Sequence, residues 1–196
     1  MLSLSGVNNH TYEDGVGSFE KNSKTCVKFG YQPTLESVFI PEGITRILSE
    51  SFYECLNLTN IEIPNSVTNI DNMAFAYCSC LSDIAIPNSV TSIGYGAFSG
   101  CTGIKSIVIP NSVTSIGERA FQYCSGLSSI VIGNGVIHIG NEAFYNCSGL
   151  TSIIVENGNP IYDSRNNCNA IINTAENVLL YGCQNTVIFD SVTSIS

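Results

Sequence analysis

A 23-residue segment recurs five times in this chain without a gap, over residues 40–62, 63–85, 86–108, 109–131 and 132–154. The phase is exact enough that Ile109–Gly117 repeats Ile86–Gly94 residue for residue. A period of this length means a stack of like units, because one such unit cannot bury its apolar face alone. Counting from the first residue of each unit, position 13 is Phe52, Phe75, Phe98, Phe121 and Phe144, and position 16 is Cys55, Cys78, Cys101, Cys124 and Cys147. Positions 1, 5, 8, 19 and 22 hold Ile, Val or Leu throughout, and position 12 is Ala in four units and Ser51 in the first. These columns are the expected core. The small residue at position 12 marks a place where chain segments pass closely.

Local spacing sets the elements. Leu127–Ile132 ends in period-2 alternation, with Ile130 and Ile132 on one side, which predicts a short half-buried strand. Proline at position 2, as in Pro110 after Ile109, stops such a strand, since proline has no N–H for a ladder. Val113–Ile116 reads as a second short extended piece. Glu118–Cys124 places Ala120, Phe121 and Cys124 at one-turn spacing between Gly117 and Gly126. Two turns are too short for a free helix, so a helical or 3₁₀ turn held only by stacking is expected there. The fold class is therefore α/β in the sense of a β-dominated solenoid: short parallel strands alternate with one- to two-turn helical or 3₁₀ segments.

The L-x-S-I-x-I-P strand, the N-S-V-T-S-I-G segment and the A-F-x-x-C turn resemble the BspA-like class of leucine-rich repeats, closely over residues 40–154. The resemblance implies a leucine-rich-repeat solenoid from an extracellular or cell-surface protein of bacteria, a class also seen in some mucosal protists. It implies adhesion and protein binding, host extracellular proteins included, and no enzyme activity.

The organisation expected is one solenoid domain in four segments. Residues 1–39 form an N-terminal cap and first strand, and 40–154 the five repeats. Residues 155–187 form an irregular long unit, in which Ala170–Ile172 and Val178–Tyr181 flank a five-residue hairpin loop, and 188–196 a terminal partial repeat.

Composition narrows the function. The formal charge is −9 and no basic run occurs, so nucleic acid and anionic membranes are poor partners, since both need Lys and Arg. No apolar run approaches the roughly 18 residues of a membrane span. The two histidines, His10 and His138, have no orienting acid nearby in the repeat frame, so no nucleophilic triad is predicted. No C-x-x-C spacing suggests zinc, and the acidic residues never form a calcium loop. No catalytic residue, metal or cofactor is expected.

The position-16 cysteines read as a buried ladder of thiols rather than a disulfide framework. Cys80 differs: it takes position 18, where later units carry glycine, and reads as an exposed thiol. Cys168 and Cys183 flank the hairpin and could pair.

What remains is surface. Positions 21 and 23 point outward from the strand. Position 21 includes Ser106, Ser129 and Ser152, and position 23 includes Val108, Val131 and Ile154. Three adjacent apolar side chains beside a hydroxyl file make a candidate docking stripe; β-propensity alone also explains them. A second candidate is the turn-bearing edge with Tyr53, Tyr77, Tyr95, Tyr123 and Tyr145. The expected function is a non-enzymatic protein-binding or adhesion module, secreted or on the cell surface. The competing expectation is a passive spacer whose repeats only set length.

Overall fold

In the computed structural model, residues 2–3, 34–40 and 42–196 are described. Most of the expected N-terminal cap, with His10 and Cys26, lies outside them. The repeats build a β-solenoid of parallel strands. Arg46–Ile47, Asn69–Ile70, Ser92–Ile93, Ser115–Ile116 and His138–Ile139 pair in parallel, coil upon coil. A longer ladder joins Ser106–Ile109, Ser129–Ile132 and Ser152–Val155. Toward the N-terminal end, Leu2–Ser3, Ser37–Phe39 and Asn60–Glu62 form a third parallel sheet. A fourth sheet contains the expected hairpin, Ala170–Asn173 with Val178–Gly182. Tyr162–Asp163 lies beside its first strand and Ser194–Ile195 beside its second.

Identical residues stack because each coil offers the next the same hydrogen-bonding groups. Thr68, Thr91 and Thr114 each donate their hydroxyl to the carbonyl of the threonine one coil back, at 3.1, 3.1 and 3.2 Å. Inside, the Phe column is continuous: ring centroids step by 5.1, 5.2, 5.2 and 5.7 Å from Phe52 to Phe144, nearly parallel. Tyr181 from the hairpin closes this column. Its ring meets Phe144 edge-on at 5.3 Å, and its hydroxyl donates to the Gly140 carbonyl at 2.7 Å.

The cysteine column is buried, and no disulfide joins the described cysteines. Each thiol has a hydrogen-bonding task. The Phe75 carbonyl accepts the Cys78 N–H of its own coil at 3.2 Å and the Cys101 thiol of the next at 3.0 Å. The same two-donor arrangement recurs at the Phe52, Phe98 and Phe121 carbonyls. A thiol at position 16 thus fills a small apolar space and satisfies a buried carbonyl lone pair that alanine would leave open. Cys168 and Cys183 do not pair. Their sulfurs face the carbonyls of Ala170 and Asn169 instead.

The segment expected as helix is neither α nor 3₁₀. Among the described residues the only helix is the 3₁₀ turn Arg165–Asn167. At positions 11, 13 and 15 the N–H groups leave the coil and donate to the next one. Met73 binds the Tyr95 carbonyl at 2.7 Å, Phe75 that of Ala97 at 2.8 Å, and Tyr77 that of Ser99 at 2.7 Å. The alternate N–H groups close i to i+3 turns within the coil, as in Ala76 to Met73 at 3.1 Å. An α-helix aims every N–H along its own axis and could not bridge to its neighbour. The turn chain does so by placing positions 11 and 15 in the left-handed region: Glu50 and Glu54, Met73 and Tyr77, Gly96 and Gly100, Arg119 and Tyr123, Glu142 and Asn146 all have φ between 54° and 72°. Left-handed backbone costs a residue with a Cβ about 1–2 kcal/mol, most when it is β-branched. Asn146→Val should therefore lower unfolding free energy by about 1–2 kcal/mol while Asn146→Gly leaves it nearly unchanged, read by urea denaturation.

Candidate protein-docking surfaces

The long ladder places the six expected stripe residues in register. Ser106 lies opposite Ser129 and Ser129 opposite Ser152, while Val108 lies opposite Val131 and Val131 opposite Ile154. Alternation decides their direction: Ile107, Ile130 and Ile153 between them are buried, so the six face outward. Val108 is 58% exposed and Ile154 49%, with Val131 half-buried between them. One apolar file and one hydroxyl file thus run side by side across three coils.

The stripe ends where the ladder breaks. The equivalent segment one coil earlier, Asp83–Ile86, makes only a single bridge, from Asp83 to Asn60. Its outward residues are Asp83 and Ala85 in place of serine and valine, and both types are poor strand formers. Small Ala85 leaves open hollows on either side. One, of about 410 Å³, reaches Glu62 and Asn65; the other, of about 330 Å³, reaches Val108 and Asn111.

At Ile154 the stripe meets a cavity of about 650 Å³, lined among others by Glu156, Asn157, Tyr162, Asp163 and Arg165. Its cation is committed. Arg165 Nη2 lies 2.7 Å from Asp163 Oδ2, and its Nη1 donates to Asn177 at 2.9 Å. A nucleophile with a base is not found there, and His138 stands exposed on a two-residue strand elsewhere. Among the described residues, no group of three or more His, Cys, Asp or Glu side chains is placed to hold a metal ion, and no helix is long and apolar enough to cross a membrane.

The turn edge carries the aromatic residues. Tyr53 meets Tyr77 edge-on at 5.7 Å, and Tyr123 meets Tyr145 at 6.0 Å. A hydrogen bond to Glu54 raises the Tyr53 hydroxyl above its ordinary pKa. Between the pairs, coil three has glycine at both left-handed positions. A Cβ on Gly100 would sit 2.5 Å from Tyr77 Cδ1, so the Tyr77 ring lies directly over that glycine. Arg119 spans this edge. It donates to Glu142 Oε2 at 2.7 Å and to the Tyr95 hydroxyl at 3.1 Å, and Gln122 joins the same carboxylate at 3.2 Å. The outward direction of the tyrosines is legible from the 23-residue frame. The bridging role of Arg119 is not, because positions 10 and 11 vary from coil to coil.

Comparison with known proteins agrees with this architecture. A family model described as BspA type leucine rich repeat region matches six copies, over residues 26–151 and 68–178. A search of curated proteins returned no match. Among solved structures, a leucine-rich repeat protein of T. pallidum is 32% identical over 60% of this chain and 57% of its own, with a TM-score of 0.58. A leucine rich cell surface protein of Faecalibacterium prausnitzii is 26% identical, covering 86% of this chain and 60% of that one, with a TM-score of 0.56. The pneumococcal vaccine antigen PcpA shares the fold at 17% identity, over 80% of this chain and 49% of that one, with a TM-score of 0.56. The chain therefore spans less than two thirds of each of these relatives.

Proposed function

We propose that this chain, which belongs to the BspA-type leucine-rich repeat family, is a non-enzymatic protein-binding scaffold displayed on or outside a bacterial cell. The observation that carries this reading is the registered stripe, with Val108, Val131 and Ile154 beside Ser106, Ser129 and Ser152. An exposed apolar file flanked by hydroxyls offers a partner desolvation energy at its centre and hydrogen bonds at its rim, the anatomy of a protein interface. The likeness to a solved protein named as a leucine rich cell surface protein supports the extracellular setting. In this reading the four segments 1–39, 40–154, 155–187 and 188–196 act as one solenoid domain, and host extracellular proteins are the partners.

The test charges the middle of the stripe. Val131→Glu should abolish capture of host extracellular proteins while circular dichroism stays unchanged, because an unpaired carboxylate resists burial in an apolar contact. Equal capture by wild type and variant would remove the stripe from the interface. No capture by either would favour a passive spacer.

A further inference from the structure

We propose that the turn edge is a second docking surface, suited to a partner segment rich in arginine or lysine. Five of the chain's nine tyrosines fall on positions 10, 14 and 15 of the coils and so share this edge. Four of them are well exposed: Tyr77, Tyr95, Tyr123 and Tyr145 range from 38% to 53%. Tyrosine, methionine and arginine are the residues enriched at interface cores, and Met73 and Arg119 stand on the same edge. The coil between them carries Tyr95 together with Gly96 and Gly100, and the missing side chain at Gly100 lets the Tyr77 ring pack over it.

Charge names the occupant. Glu50, Glu54, Glu118 and Glu142 stand on this edge, and among the described residues Arg119 is the one cation with them. The molecule's charge of −9 draws cationic segments toward it. Arg119 also shows how the edge receives a guanidinium, with a carboxylate at 2.7 Å and a tyrosine hydroxyl at 3.1 Å. A partner arginine over the face of Tyr77 or Tyr123 gains the cation–π attraction that operates within about 6 Å of a ring centre. The stripe has neither the rings nor the carboxylates for this, so the two surfaces serve different chemistry.

The probe is a blocked tetra-arginine peptide titrated into the full chain at low ionic strength. The chain has no tryptophan, so tyrosine emission is the reporter. Saturable binding is expected, with tetra-glutamate silent and Val131→Glu binding as wild type does. The double variant Tyr77→Asn/Tyr123→Asn should bind about tenfold more weakly, the loss of two cation–π contacts. Asparagine already holds the same left-handed position at Asn146, so the turn survives. A second variant, Glu54→Gln/Glu118→Gln, keeps every ring and should weaken binding several-fold. Absence of saturable binding overturns the proposal. So does unchanged affinity in both variants, which would reduce the attraction to the diffuse field of the net charge.

Discussion

Phe121→Ala should lower the unfolding free energy by about 3–5 kcal/mol, measured by urea or guanidinium denaturation. Phe121 is fully buried and lies between two stacked neighbours, Phe98 at 5.2 Å and Phe144 at 5.7 Å. Its removal takes away the transfer energy of the ring and leaves a void. The void cannot collapse, because the backbone on both sides is fixed by the turn ladder: Phe98 N–H donates to Ala120 and Phe121 N–H to Ala143, each at 2.8 Å. A solenoid transmits such a loss only to its neighbours, so unfolding should begin in coils four and five while coil two keeps its amide protection longest. A loss below about 1 kcal/mol would mean that the column is not core.

The columns were legible because the period forces like on like. Once position 13 is Phe in five units, a stacked aromatic column is the only economical burial, and the stripe follows from alternation around Ile107, Ile130 and Ile153. The break at Asp83–Ile86 also has a sequence signal, since Asp83 and Ala85 replace the serine and valine of later coils. The turn conformation was hidden. Left-handed backbone is ordinarily announced by glycine or asparagine, and only Gly96, Gly100 and Asn146 announce it here. Glutamate, methionine, arginine and tyrosine at the other positions suit a helix, and Ala-Phe-x-x-Cys has helical spacing. The winning term is non-local: three N–H donors per coil reach the next coil, and no window within one unit contains that information. Cys168 and Cys183 follow the same logic. Their spacing left pairing open, and carbonyl acceptors two and fourteen residues away took the thiols instead.

The same buried thiols make the fold sensitive to alkali. Burial pushes the Cys101 thiol up to about 12 from the ordinary 9.0. A thiol whose folded pKa is raised keeps its proton in the native state after the unfolded chain has lost it. The unfolded state then binds fewer protons, so stability falls as pH rises from about 9 to about 12. One such thiol contributes a slope of roughly 1.4 kcal/mol per pH unit, on the order of 4 kcal/mol across the window. Burial also raises the hydroxyls of Tyr162 and Tyr181, which act in the same direction, so the wild-type slope sums several groups. Cys101→Ala isolates one of them. Its stability at neutral pH should be lower, because the Phe75 carbonyl loses its second donor, yet its decline between pH 9 and 12 should be shallower than the wild type's by about 1.4 kcal/mol per unit. Urea unfolding at half-unit pH intervals measures both slopes. Parallel wild-type and variant curves would mean that Cys101 ionises in the folded state as easily as in the unfolded one, and that the thiol column is open to solvent.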